Sequence, residues 1–493
     1  VKGKNRVSTK LDSDPQTGGA ATAADLSLQL SKGRWINNWD AENLAFWNAV
    51  GRKTAAVNLR WSIFAEFLGF VVWQLFAIVA VYLPSAGFDY STSQLFWLIS
   101  IPSLVGATLR IPYTFMVARV GGRNWTIVSA LLLLLPAGGL ALAVANTSTP
   151  FWVMLTLAGL AGFGGGNFAS SMANITYFYP ASQKGWALGL NAAGGNLGAA
   201  VAQLLVPIAI TVFAAGTLQL PMAGIIWIPL ILIAAFGAFR NMHNLSNARS
   251  DLRGALACLR EKHLWIIAAL YIGTFGSFIG FSAVFPKLIV DTFAEYSAFA
   301  LGTATITLAF LGPLVGSLAR PFGGRLADRF GGARITLASL SVMALVTVGL
   351  IITLPAANFW VFLGLFLVLF TASGVGNGST YRMIPAVFAL RAELSTNGVG
   401  AARKGAAALG LISAIGAYGG FLVPQALGLS VSWAGSYLPA FCVFSGIGGR
   451  RTQRKGRGSP GLHPHRPRSG TARQRHRYHH RSHQSCAIAG SAR

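Results

Sequence analysis

The sequence predicts an all-α polytopic membrane protein made of two pseudo-symmetric six-helix bundles, with an incomplete twelfth helix. Three observations carry that prediction. The 493 residues are 53% hydrophobic and only 11% charged, with a mean hydropathy of +0.55, a membrane composition. Apolar stretches of about 20 residues, enough for a helix to cross a bilayer, recur along the chain. The second half also repeats the first at an offset of 210 residues. Leu104, Val105, Gly106 and Arg110 match Leu314, Val315, Gly316 and Arg320; Arg119, Gly121 and Gly122 match Arg329, Gly331 and Gly332.

Residues 1–55 are polar, with no apolar core of signal-peptide type, and read as a cytoplasmic segment. Val1 in place of Met reads as an alternative start codon. The first bundle, 56–239, has spans near 59–83, 93–119, 125–146, 151–179, 187–213 and 222–239. A basic linker, 240–262, follows. The second bundle, 263–449, has spans near 263–289, 301–322, 333–354, 359–388 and 403–429. A twelfth apolar run, 436–449, stops after 14 residues, roughly 21 Å of helix, short of the ~30 Å hydrocarbon core.

The formal charge of +26 resembles a nucleic-acid signal, but its distribution excludes that reading. Residues 450–493 hold 12 of the 39 Lys and Arg and no acid, leaving 27 basic against 13 acidic residues, a balance of +14. Arg119, Arg123, Lys184, the linker, Arg325, Arg329, Arg334, Arg391, Arg403 and Lys404 fall on one side of the predicted membrane. The opposite loops hold none, with Lys287 the single exception. The basic side is therefore expected to be cytoplasmic, with both termini inside. The tail 450–493 reads as disordered. It is either a polybasic lipid-binding segment, with His476, His479, His480 and His483 as a metal cluster, or the product of a frame change. The frame change is favoured, because the tail begins where a spanning backbone still needs apolar cover. Cys258, Cys442 and Cys486 have no disulfide or metal spacing.

Arg110 and Arg320 lie deep in apolar segments, one per repeat. A charge near mid-bilayer costs about 2.5–3.5 kcal/mol on insertion scales, so it should face an internal cavity and mark a substrate path. Arg110 is about ten residues, roughly 15 Å, from the basic loop, too deep for easy snorkelling. Guanidinium is planar, permanently charged and bidentate toward oxyanions; lysine has the charge without the shape. The glycine runs around Gly164, Gly165, Gly166, Asn167, Gly374, Gly376 and Asn377 sit inside spans, where small residues let helix backbones approach. No strand precedes them, which excludes a dinucleotide fingerprint.

GGGNFASSMANITYFYP (164–180) and GVGNGSTYRMIP (374–385), with SLVGATLR (103–110) and YIGTFGSFIGF (271–281), resemble the signatures of the nitrate/nitrite porter (NarK-type) family of the major facilitator superfamily. The resemblance runs from about residue 35 to 445. The loop Gly324–Arg334 resembles the superfamily's motif between helices eight and nine, with Asp328 as a latch acid; its first-half counterpart has Ala118 there. The resemblance implies a major facilitator fold and an anion held by Arg110 and Arg320. It also implies Phe168 stacking on the planar anion, Asn196 as a polar contact from the fifth helix, and Tyr271 and Phe275 as contacts one turn apart on the seventh.

The expected activity is nitrate/nitrite exchange by alternating access. Two bare arginines at an assumed ~8 Å would repel by about 2 kcal/mol at an effective dielectric of 20. An empty site would resist occlusion, so the return stroke would need an anion. Glu66, the one acid well inside a span, is either a proton carrier for coupled uptake or a structural acid near the cytoplasmic end of helix one. A third possibility is a non-transporting truncated product or an anion sensor. No catalytic constellation, metal site or cofactor is expected. The partners expected are nitrate, nitrite and the lipid of a bacterial inner membrane, with no nucleic acid and no obligate protein partner.

Overall fold

The computed structural model describes residues 27–212, 218–248, 258–393 and 399–446. The tail assignment for 450–493 and the end of the twelfth apolar run lie outside these residues. Six helices form the first half: α1 (Leu44–Val79), α2 (Thr92–Val120), α3 (Gly122–Ala143), α4 (Phe151–Phe178), α5 (Ala181–Val212) and α6 (Met222–Asn241). The second half holds α7 (Lys262–Thr292), α8 (Leu311–Phe330), α9 (Gly332–Ala356) and α10 (Phe359–Glu393). It ends with α11 (Val399–Ala417, continued as Gly419–Ala434) and α12 (Leu438–Phe444). Among the described residues ten helices are long and apolar enough to cross a membrane. The exceptions are α8, which contains Arg320, Arg325, Asp328 and Arg329, and the seven-residue α12.

Two boundaries differ from the sequence expectation. The sequence expectation for the eighth span is 301–322, but β4 (Phe299–Leu301) and β5 (Ala304–Ile306) form a hairpin there. Gly302, with φ +63°, supplies its left-handed turn. Apolar composition alone cannot separate such a hairpin from a helix start. Helix one begins near residue 44 rather than 59, because Asn43 accepts from the Phe46 N–H and opens the helix early.

Caps and prolines shape the helices that matter here. Ser91 and Gln94 form a reciprocal capping box at the start of α2. Pro112 follows Arg110 by two residues, and Pro321 follows Arg320 directly. Each removes one helical hydrogen bond beside an arginine. In α7 the residues Ile272–Gly276 form a π-helical turn, a feature common at functional sites.

The halves meet tightly at the end away from the basic loops. Gln425 donates to Ser100 at 2.6 Å, Thr108 and Tyr418 hydroxyls are 2.9 Å apart, and the Trp97 and Phe421 rings are 5.8 Å apart. Lys287, the exception to the charge rule, is held there by Asp291 at 2.8 Å and lies 5.8 Å from the Phe96 ring of the other half.

At the basic end, β1 (Leu30–Ser31), β2 (Trp35–Ile36) and β3 (Asn244–Leu245) join the segment ahead of α1 to the end of α6. Arg34 donates to the Arg240 and Asn241 carbonyls, and Arg123 to that of Phe239. They cap the negative end of the α6 dipole. His243 Nε2 lies 2.9 Å from Arg34 Nη2. Burial, with Arg34 and Arg123 nearby, pushes the His243 pKa down to about 4. An unfolded histidine titrates near 6.5, so the unfolded chain takes up the proton first. This contribution to stability is present above about pH 6.5 and is lost as pH falls toward 4. The melting temperature in detergent should fall over that window, and His243→Gln should flatten part of the slope.

Candidate functional site

The site is assembled where α2, α4, α7, α8 and α10 converge. Arg110 is fully buried and Arg320 is 3% exposed. Arg110 Nε donates to the Gly165 carbonyl at 3.0 Å, and its Nη1 donates to the Ser413 carbonyl at 2.9 Å. One arginine thus ties α4 of the first half to α11 of the second. Its Nη2 is buried without a protein partner. Arg320 Nη2 reaches the Tyr271 hydroxyl at 3.5 Å, and its Nη1 is likewise buried and unpartnered. Among the described residues, neither guanidinium has a carboxylate within ion-pair distance.

Two aromatic rings are shared by the arginines. The Arg110 guanidinium carbon lies 4.5 Å from the Phe168 ring centre and 4.9 Å from that of Phe275. For Arg320 the distances are 5.6 and 6.0 Å. Phe168 and Phe275 stack at 6.1 Å. Tyr271 stacks on Phe275 at 5.2 Å and 13°. The π-turn begins directly after Tyr271 and contains Phe275, so the two rings overlay across a local distortion of α7. The negative ring faces partly offset the buried positive charges. Two desolvated guanidinium arms still lack acceptors.

The five sequence-predicted residues Arg110, Arg320, Phe168, Tyr271 and Phe275 therefore come together. Asn196 does not join them by a hydrogen bond. It is fully buried, but neither its Oδ1 nor its Nδ2 has a partner. Its neighbour Gly195 abuts Glu66: a Cβ there would meet Glu66 Oε1 at 2.4 Å. Glu66 is fully buried within α1, and its Oε2 accepts from Asn191 at 2.8 Å. Its Oε1 has no partner.

The glycine signatures serve close approach. A Cβ on Gly164 would meet the Gly69 carbonyl oxygen at 2.0 Å, one on Gly374 the Gly316 carbonyl oxygen at 2.2 Å, and one on Gly165 the Trp73 ring at 2.6 Å. On Gly166 the nearest atom would be Leu109 Cβ at 3.0 Å, and on Gly376 a Thr274 methyl at 2.7 Å. The paired asparagines differ. Asn167 accepts from the Ser129 and Ser170 hydroxyls, both at 3.0 Å, whereas neither amide atom of the buried Asn377 has a partner. Asp328 pairs with Arg382 at 2.7 Å. Arg382 also lies against α5, where a Gly185 Cβ would fall 1.8 Å from its Nη1.

Sequence reasoning missed Tyr381. Its ring lies 5.4 Å from the Arg320 guanidinium, 6.3 Å from Phe168 and 6.1 Å from Tyr271. It sits one turn after Asn377 on the glycine-rich face of α10, and that spacing was the available signal. A cavity of about 440 Å³ opens at the basic-loop end between α5, α8 and α10. Its lining runs from Gly185, Asp328 and Arg382 inward to Arg320 and Tyr381.

The sequence profile of the Major Facilitator Superfamily matches residues 62–424. The nitrate/nitrite transporter NarU of Escherichia coli is 42% identical over 434 residues, covering 83% of this chain and 92% of that protein. The probable nitrate/nitrite antiporter NarK2 of Thermus thermophilus is 37% identical, covering 80% of this chain and 89% of that one. Among solved structures, a bacterial homologue of the human lysosomal transporter Spinster, in an inward-facing and occupied conformation, aligns with TM-score 0.57. That match has 15% identity and covers 77% of this chain and 82% of that one, so it speaks to the fold alone.

Proposed function

Because the chain belongs to the major facilitator superfamily, and within it to the nitrate/nitrite transporters, we propose that it exchanges nitrate for nitrite across a bacterial inner membrane. The anion is held between Arg110 and Arg320. The observation that carries this reading is the pair of buried, unpartnered donors, Arg110 Nη2 and Arg320 Nη1, on opposite halves around the same two rings. A small planar oxyanion supplies both acceptors and one negative charge. Phe168 and Phe275 offer flat faces that suit a planar ion and exclude water.

In this reading the basic-loop end faces the cytoplasm with both termini, and the 440 Å³ cavity is the cytoplasmic entrance. Anion binding offsets the repulsion between the arginines and lets the halves close on the site. The Arg110–Ser413 bond and the Arg382 contact with α5 cross between the halves, so both must shift as the halves rock. The Asp328–Arg382 pair stands at the cavity mouth and acts as the cytoplasmic latch. Exposed as it is, the pair contributes at most about 1 kcal/mol, enough to bias a conformational equilibrium without locking it. Gly164, Gly165, Gly166, Gly374 and Gly376 pack helices of the same half closely against one another, so each half moves as a unit.

A second reading, proton-coupled uptake, is favoured by Glu66, whose carboxylate is buried with one oxygen unpartnered. The two readings separate in proteoliposomes. Under exchange, labelled nitrate enters only when nitrite or nitrate waits inside, and a proton gradient alone drives no accumulation. Glu66→Gln should then retain most of the counterflow. Gradient-driven uptake in the parent protein that vanishes in the Gln variant would replace exchange with symport.

A further inference from the structure

We propose that the Tyr381 hydroxyl engages the third oxygen of the bound anion and so sets a preference for nitrate over nitrite; this rests on the transport reading above. Around the shared rings, Arg110 Nη2, Arg320 Nη1 and Tyr381 Oη are buried polar atoms with no hydrogen-bond partner in the protein. Nitrate has three oxygens and nitrite two. The Tyr381 ring touches Arg320, Phe168 and Tyr271, so it borders the space the anion takes. It also lines the inner end of the cavity, on the path the anion follows.

The other aromatic polar groups nearby are placed differently. The Tyr271 hydroxyl is already held by Arg320, from which it accepts, whereas Tyr381 Oη has no hydrogen-bond partner of either kind. The Trp73 indole N–H lacks a partner but faces α2, where a Gly106 Cβ would lie 3.2 Å from it. Tyr381 is neutral, so it adds a donor without adding charge to a site that already holds two cations. A buried hydroxyl aimed at an oxygen discriminates by subtraction. When nitrite binds, the hydroxyl is left desolvated and unmatched, and that penalty is absent with nitrate.

Tyr381→Phe removes one oxygen atom and keeps the ring that packs on Arg320 and Phe168. The test measures nitrate and nitrite affinities of the full chain in detergent, and KM for each anion in proteoliposomes. The expected result is a loss of about tenfold in nitrate affinity with less than about threefold change for nitrite, and an unchanged melting temperature. Equal weakening for both anions would mean that Tyr381 only packs, and would overturn the proposal. Unchanged affinity for both would overturn it too. A parent protein that binds neither anion would overturn the transport reading along with it; a parent that binds both with an unaltered ratio in the variant would overturn this inference alone.

Discussion

Replacing Arg110 or Arg320 by lysine is expected to lower nitrate exchange by at least about 100-fold while insertion and folding persist. Charge is preserved in both variants, so the loss isolates the shape of the fork. Arg110 performs three tasks at once. It holds the Gly165 carbonyl at 3.0 Å, holds the Ser413 carbonyl at 2.9 Å, and presents a buried Nη2 with no protein partner, the arm proposed for the anion. An ammonium at the end of a flexible stem cannot occupy those three positions together. Whichever carbonyl it abandons is left buried without its donor. For Arg320 the same change breaks the contact with Tyr271 and removes the planar group that faces Phe168 and Tyr381. Counterflow rates and melting temperatures of the purified variants check this. Near-normal nitrate affinity in either would defeat the site.

The second large effect concerns the glycines. Gly164→Ala and Gly374→Ala should each destabilise the protein by about 1–3 kcal/mol or more, seen as lower membrane yield and an earlier melt. In both cases the new methyl would meet a backbone carbonyl, that of Gly69 at 2.0 Å or of Gly316 at 2.2 Å. A carbonyl in a helix cannot swing aside as a side chain can, so whole helices must separate. Gly138 and Gly364 provide controls within α3 and α10, since a Cβ at either meets nothing within 4 Å. Alanine there should be neutral or stabilising, by up to about 1 kcal/mol. Equal damage at all four positions would mean that these two contacts do not govern the result.

Much of the site was legible in the sequence because mid-bilayer charge is costly and therefore informative. Arg110 and Arg320 stood out on cost alone, and the 210-residue repeat placed them on equivalent helices. Phe168, Tyr271 and Phe275 entered only through motif context, since an isolated aromatic in a span reads as core. Three features were not legible. The π-turn at Ile272–Gly276 has no compositional signature distinct from ordinary helix. The start of α8 was misplaced because residues 299–306 are as apolar as a span but carry a glycine turn. Tyr381 was hidden because what distinguishes it, a hydroxyl with no acceptor beside a guanidinium, exists only once α8 and α10 are packed. The boundary between polar segment and first bundle shifted for a similar reason: the Asn43 cap works only with the chain already turning into α1.

The most direct test of the central claim is a structure of the protein determined with nitrate bound. The expected result is one planar anion between the two halves, accepting hydrogen bonds from Arg110 Nη2 and Arg320 Nη1 and lying against the Phe168 ring. An anion bound elsewhere, or one that touches a single arginine while the other keeps its unpartnered arm, would contradict it.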